Sequence, residues 1–242
     1  MHDALHVTGW EFVAIAVVVF AGALLQGIIG FGMVIAAFPT IVFVEPELLP
    51  QTMLVVSTPM VLRMVWRYRG DVRWREVGWF LTGRPVGLVA AAFVVGWAST
   101  RTSTLAAGAS VLVAIALSLF APPVPRTRLN LAIGGSLSSL FGTAVAIGGP
   151  PVGLLYQHDK GDELRATVSA IMLLGAPLGL TVLALGGQFD LTDLRTGAAL
   201  SPFALAGVSL APRVAPRFDE RLRPLILGVC AVAALGAMAR VV

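Results

Sequence analysis

The residues of this chain that could perform chemistry are concentrated at two interruptions of its apolar segments. The first interruption contains Gly27, Gly30 and Gly32, and the second contains Gly142 and residues 148–151. Glycine lets backbone approach a ligand closely, and proline at the first position of a helix loses no intrahelical hydrogen bond. A helix that begins at such a break presents free N–H groups and a partial positive charge. The sequence therefore predicts two backbone sites suited to a small anion.

Polar side chains beside these breaks extend the candidate site. Gln26 is a candidate because a buried amide needs several hydrogen-bond partners. Ser138 and the neighbouring hydroxyl residues are weaker candidates, since Ser, Thr and Gly are also favoured at contacts between membrane helices. Arg84 lies well inside an apolar run, so it either contributes to function or extends its guanidinium to the membrane surface. The predicted substrate-binding residues are Gln26, Gly27, Gly30, Phe31, Gly32, Arg84, Ser139, Gly142, Thr143, Gly148, Gly149, Pro150 and Pro151.

The composition indicates that membrane helices position these residues. The chain has 242 residues, of which 57% are hydrophobic and 12% are charged, whereas a soluble domain is usually about 25% charged. There is too little polar surface to cover a water-soluble globule, so lipid must be part of the solvent. The basic residues lie mostly between apolar runs, and they therefore predict membrane orientation and not nucleic-acid binding. The lone Cys230 predicts neither a disulfide nor a metal site.

Breaks in the apolar segments predict helical hairpins. A spanning helix needs about 20 residues, and segments 77–97 and 166–185 are long enough. The first two segments and the stretch 129–156 are interrupted by glycine and proline. Unwound backbone is tolerated in hydrocarbon only where it is buried in protein or lines a polar cavity, so each broken stretch is expected to turn inside the protein. The apolar segments are 12–25, 31–44, 52–66, 77–97, 103–120, 129–147, 152–156, 166–185, 194–211 and 222–239.

Spacing and charge indicate that the two halves of the chain are inverted repeats. Gly32 and Gly148 are separated by the same number of positions as Glu47 and Glu163. The loop at residues 67–75 is rich in arginine while its counterpart in the second half is acidic, and the next pair of loops reverses this pattern. Under the positive-inside rule the matched loops therefore lie on opposite sides of the membrane.

The predicted fold is an all-α polytopic membrane protein with a single transmembrane domain over residues 1–242. Its two inverted-topology repeats, 10–120 and 129–241, each consist of a Gly/Pro-broken helical hairpin followed by three transmembrane helices. Both termini are expected on the extracytoplasmic side. Inverted repeats with paired broken helices are typical of secondary transporters, in which rocking of one half against the other gives alternating access to a central site.

A polar loop follows the second hairpin. It contains His158, Asp159, Lys160, Asp162 and Glu163. A metal site or a proton relay there would need further ligands, and no second histidine is close in sequence. A solvated cytoplasmic turn is the favoured interpretation.

The two interruptions carry a family resemblance. The sequence GALLQGIIGFG at residues 22–32, followed by Pro39, resembles the first motif of the sulfite exporter TauE/SafE family. The sequence LFGTAVAIGGPP at residues 140–151 resembles the second and more specific motif. The resemblance extends over essentially the whole chain, although Met33 stands where the family usually continues its run of glycines. It implies export of small sulfur-containing anions, such as sulfite or organosulfonates, across the bacterial inner membrane.

Other functions compete with this one. Two inverted halves can form an anion channel, and a carrier of a non-sulfur organic anion or a structural membrane subunit would share the same composition. An intramembrane enzyme is disfavoured because no histidine lies in an apolar run and residues 108–111 lack the second glycine of a nucleophile elbow. The expected partners are a small anionic substrate and the lipid bilayer, with no cofactor, metal or nucleic acid. The sequence is compatible with a homo-oligomer and does not identify a coupling ion.

Overall fold

The computed structural model describes residues 7, 9–30, 33–45, 48–97, 109, 112, 113, 116, 124–145, 148–156, 159 and 161–217. Regular structure within these residues is helical throughout, in agreement with the predicted all-α class. Most of the predicted segment 103–120 and all of 222–239 lie outside the described residues. The helices are α1 Gly9–Ile29, α2 Met33–Val44, α3 Gln51–Arg67, α4 Trp74–Trp97, α5 Arg128–Val145, α6 Gly149–Tyr156, α7 Gly161–Leu185 and α8 Leu191–Val214.

Helix length separates spanning helices from short ones. By length and composition, the described residues contain four helices able to cross a membrane, which are α1, the Trp74–Val94 part of α4, α7 and α8. In contrast, α2 has 12 residues and α6 has 8. At about 1.5 Å per residue these two helices are too short to cross the hydrocarbon layer. Each packs against the helix that precedes it, α2 on α1 and α6 on α5.

Glycines allow close packing between helices of the two halves. α4 packs against α5, and α1 packs against α8. A Cβ added to Gly87 would lie 1.9 Å from the Ser136 carbonyl oxygen, and one added to Gly207 would lie 2.3 Å from that of Phe20. Only glycine lets two helix backbones approach this closely, as small residues do at contacts between membrane helices.

Contacts along neighbouring helices give their relative directions. In the α1–α8 pair, Phe12 contacts Phe203 with ring centroids 6.0 Å apart, and farther along both helices Gly27 meets Ala211. These helices therefore run in the same direction.

The α4–α5 pair and the α3–α7 pair differ in their relative directions. Gly83 lies beside Ala132 and Gly87 beside Ser136, so α4 and α5 also run in the same direction. α3 and α7 run in opposite directions, because the Ser169 hydroxyl contacts Met64 Sδ at 3.4 Å near the end of α3 while Gly179 lies beside Leu54 near its start.

The buried apolar side chains form two clusters. The first is built from α1, α2, α3 and α8 and includes Val19 and Met60. The second is built mainly from α4, α5, α6 and α7 and includes Phe80 and Ile171. Met172 on α7 packs against both clusters. α7 therefore contributes to both packing units.

Candidate functional site

The second break, at Gly148, is held by contacts within its own hairpin. The Ser138 hydroxyl donates a hydrogen bond to the Gly148 carbonyl at 2.7 Å. A Cβ added to Gly148 would lie 2.7 Å from the Ser138 carbonyl oxygen and 3.1 Å from Gly142 Cα. At Gly149, where α6 begins, an added Cβ would meet no atom of the described residues within 4 Å. The elbow is therefore packed against backbone at Gly148, whereas Gly149 is buried without a close contact to a described atom.

The first break is bridged by the side chain of Gln26. Its Oε1 accepts a hydrogen bond from the Met33 N–H at 3.0 Å, and Gln26 is only 3% exposed. Gly30 has φ 100°, a backbone conformation that favours glycine. A Cβ added to Gly22 would lie 2.6 Å from the Met33 carbonyl oxygen. The amide of Gln26 thus satisfies one of the first N–H groups of α2, which would otherwise need another acceptor.

Arg165 is a residue of the first elbow that the sequence analysis missed. Its Nε and Nη2 donate to the Ile28 carbonyl at 3.0 and 2.7 Å, while Nη1 donates to Asp162 at 2.8 Å. The guanidinium therefore links the start of α7 to the last turn of α1. In sequence, Asp162 and Arg165 form an ordinary i, i+3 ion pair on a helix, and this pairing gives no signal for the long-range contact.

The guanidinium of Arg84 is buried between α4 and α7. Arg84 is 6% exposed, and its Nη2 donates to the Ile171 carbonyl at 2.8 Å. Gly175 makes room for it, because a Cβ there would lie 1.8 Å from Nη1. The alternative in which Arg84 extends to the membrane surface is therefore wrong.

Within the described residues, Arg84 also lacks a full set of partners. In the part of the chain that the structure describes, no carboxylate oxygen lies within 4.0 Å of its guanidinium. Its Nε is buried without a hydrogen-bond partner among the described residues. A buried charge without a counter-ion is costly, so a residue of this kind in a membrane helix is a candidate for binding an anion.

Two buried hydroxyl residues line the same helix interfaces. Ser139 on α5 has its Cβ 2.9 Å from the position of a Cβ added to Gly87, one turn after Arg84 on α4. Its Oγ is buried and has no hydrogen-bond partner among the described residues. Thr143 Oγ1 lies 3.0 Å from the position of a Cβ added to Gly179 on α7. We call Arg84, Ser139 and Thr143 the central polar site.

The structure accounts for the other predicted site residues as follows. Gly27 packs against Ala211 of α8, and Gly142 contacts Gly148. Gln26 Nε2 lies 3.6 Å from Met172 Sδ on α7. Gly149 and Pro151 are buried, the side chain of Pro150 lies outside the described part, and so do Phe31 and Gly32. A role in substrate binding stays a prediction for every member of the set.

The polar loop after the second hairpin forms an ion-paired cluster. Asp159 accepts from Arg73 Nη1 at 2.6 Å and also pairs with Arg126, and Glu163 pairs with Arg73. The hydrogen bond that Arg73 donates to Glu163, together with the charge of Asp159, raises the pKa of Arg73 above its ordinary value. Among the described residues no group of His, Cys, Asp and Glu is arranged to hold a metal ion. The cluster connects the α3–α4 loop to the start of α7.

Several helices long enough to span a membrane, two packed hairpins and a buried arginine with no carboxylate partner among the described residues define a multi-pass membrane protein with a polar site between its helices. The family model of the sulfite exporter TauE/SafE family matches residues 14–237, and the chain belongs to that family. The resemblance found at the two motifs is thereby confirmed. Membership implies a membrane transporter of sulfite- or sulfonate-type anions. Individually characterised proteins and solved structures give no match.

Proposed function

We propose that this protein is a secondary transporter that exports small sulfur-containing anions, such as sulfite or organosulfonates, across the bacterial inner membrane by alternating access. The observation that carries this proposal is Arg84, a charge buried between two helices with no carboxylate partner among the described residues. Leaving a charge unpaired in a membrane interior is unfavourable, and a bound oxyanion would remove that cost.

The central polar site suits an oxyanion. A guanidinium presents planar N–H donors that match an oxyanion, and a hydroxyl such as that of Ser139 adds a further donor. The backbone at Gly148 and Gly149 would supply N–H groups at the start of α6 from the same hairpin. Electrostatic attraction is stronger in a site with little water than at the protein surface, so few donors suffice.

Two inverted repeats within a single transmembrane domain, 10–120 and 129–241, would explain the helix contacts. If α1, α3 and α4 correspond to α5, α7 and α8, the α1–α8 contact becomes the α5–α4 contact when the halves are exchanged. The α3–α8 contact likewise becomes the α7–α4 contact. The opposite directions of α3 and α7 agree with inversion. In this arrangement the arginines of residues 67–75 face the cytoplasm and both termini face the other side.

The inverted halves would supply the two states of a carrier. Each apolar cluster is a packing unit, and Met172 of α7 belongs to the periphery of both. Rocking of one unit against the other would open the central polar site first to the cytoplasm and then to the opposite face.

Sulfite flux into proteoliposomes tests the proposal. We expect Arg84→Gln to lower flux by about tenfold or more, because loss of a buried charge partner typically costs about 2–5 kcal/mol. Arg84→Lys should retain intermediate flux, since it keeps the charge but loses the planar fork. Arg75→Gln is the control, because Arg75 is exposed in the first turn of α4.

Two outcomes would contradict this proposal. Full flux in folded Arg84→Gln would place the anion elsewhere, and a folded wild-type protein that moves no sulfite would remove the proposed substrate. Sulfite on the opposite side should accelerate uptake of labelled sulfite, as expected for a carrier. Flux that does not saturate and shows no such acceleration would instead identify a channel.

A further inference from the structure

A cleft at the end of α3 contains two arginines that the central polar site does not use. Arg63 and Arg67 lie one turn apart at its rim, together with Tyr68. Gly27 of α1 and Val208 of α8 form its inner wall. The cleft therefore lies where α1, α3 and α8 meet, and it reaches from the protein surface to the helix that carries the first elbow.

The charges of these two arginines are unpaired within the described part of the chain. Among the described residues, no carboxylate oxygen lies within 4.0 Å of Arg63 or Arg67, whereas Arg73, Arg126 and Arg165 all form ion pairs. The Arg63 guanidinium lies 5.5 Å from the ring centroid of Trp66, and that of Arg67 lies 5.5 Å from the centroid of Tyr68.

Stacking on an aromatic ring orients a guanidinium without consuming its N–H groups. Both arginine side chains are exposed at the cleft. The cleft therefore presents two oriented cations whose donors are available to an incoming oxyanion. Charges focused in a cleft raise the local concentration of the opposite charge and its association rate, and salt screens this effect over about 8 Å at physiological ionic strength.

We infer that the Arg63–Arg67 cleft is an oxyanion-binding vestibule at the cytoplasmic entrance of the protein. The assignment of the cleft to substrate rests on the proposed function, because the proposed topology places this end of α3 at the cytoplasm. The same chemistry would recognise sulfite arriving from solution or the phosphate of an anionic lipid headgroup. The first source would make the vestibule part of the export path, and the second would make it a lipid site.

Kinetics in vesicles of phosphatidylcholine alone test the first source. Sulfite is supplied to the face that carries the cleft, and KM and kcat are measured at low and at high salt. We expect Arg63→Gln/Arg67→Gln to raise KM about 3–10-fold at low salt with kcat unchanged, and the difference should shrink at high salt. Arg69→Gln/Arg75→Gln is the matched control, since it removes two exposed arginines outside the cleft. Arg63→Lys/Arg67→Lys should restore a KM near the wild-type value.

Thermal stability in detergent tests the second source. If the lipid phosphate is the ligand, short-chain phosphatidylglycerol stabilises the wild-type protein and the matched control, and it does not stabilise Arg63→Gln/Arg67→Gln. The vestibule is overturned if that double variant behaves like the control in both measurements. Failure of the proposed function gives a different result, namely no sulfite flux in any protein, and the phosphatidylglycerol measurement then still decides whether the cleft binds an oxyanion.

Discussion

The two glycine-broken hairpins are held by different contacts. The first elbow depends on α7, because Arg165 donates to the Ile28 carbonyl and Gly30 lies against Leu164. The second elbow depends on its own hairpin, where Ser138 donates to Gly148 and Gly142 packs against it. A movement of α7 would therefore alter the first elbow directly, while the second would keep its internal geometry. We therefore expect the first elbow to change its geometry when α7 moves relative to α1, and the second elbow to move as one unit with its own hairpin.

Of the substitutions that test this difference between the elbows, one at Gly148 should have the largest effect on flux and stability. Gly148→Leu is expected to abolish sulfite flux and to lower thermal stability, because its Cβ would meet the backbone of Ser138 and Gly142. Gly149→Leu should leave the protein folded, since an added Cβ there meets no described atom within 4 Å, and it should still block a path that passes the elbow.

Gly78→Leu serves as the control for both variants, because Gly78 lies on α4, outside both hairpins, and no described atom lies within 4 Å of a Cβ added there. Flux in proteoliposomes and melting temperature in detergent are the two measurements. Full flux in Gly149→Leu would show that substrate does not pass this elbow, and a stable Gly148→Leu would contradict the tight packing.

Removal of the bridging side chains should distinguish the elbows by their stability. Gln26→Leu leaves the Met33 N–H buried without its acceptor, and we expect a loss of about 1–3 kcal/mol in the free energy of unfolding. Ser138→Ala removes one donor from the Gly148 carbonyl and should cost about 0.5–1.5 kcal/mol. Denaturant titration in detergent measures both. A larger loss of unfolding free energy in Ser138→Ala than in Gln26→Leu would show that the second elbow depends more on its bridging side chain than the first does.

The smallest expected effect is that of a conservative change at Arg165. Arg165→Lys keeps the positive charge near the Ile28 carbonyl but loses the paired donation from Nε and Nη2, so stability should fall by about 1 kcal/mol or less. Sulfite flux should decrease together with stability if the first elbow moves with α7. Arg195→Lys, at an exposed position of α8, is the control. Equal behaviour of the two variants would mean that the contact with Ile28 does not couple the elbow to α7.

Much of the fold could be predicted from the sequence because hydrophobic length is a local property. Runs of apolar residues indicated α4 and α7, and the glycine and proline interruptions indicated the breaks before Met33 and Gly149 where α2 and α6 begin. The family resemblance at residues 22–32 and 140–151 was confirmed for the same reason, since a motif is a local pattern. The residues of the site could be predicted one by one, but their arrangement could not, because the sequence does not show which helices face one another.

Sequence alone determined the membrane as solvent, the helical class and the location of both breaks, since each follows from residue types within one segment of chain. Tertiary structure alone decided the surroundings of the arginines. Arg84 is buried beside Gly175, Arg165 reaches the end of α1, and Arg63 shares a cleft with Gly27. The energy of a charged side chain depends on the atoms that oppose it, and those atoms come from helices distant in sequence.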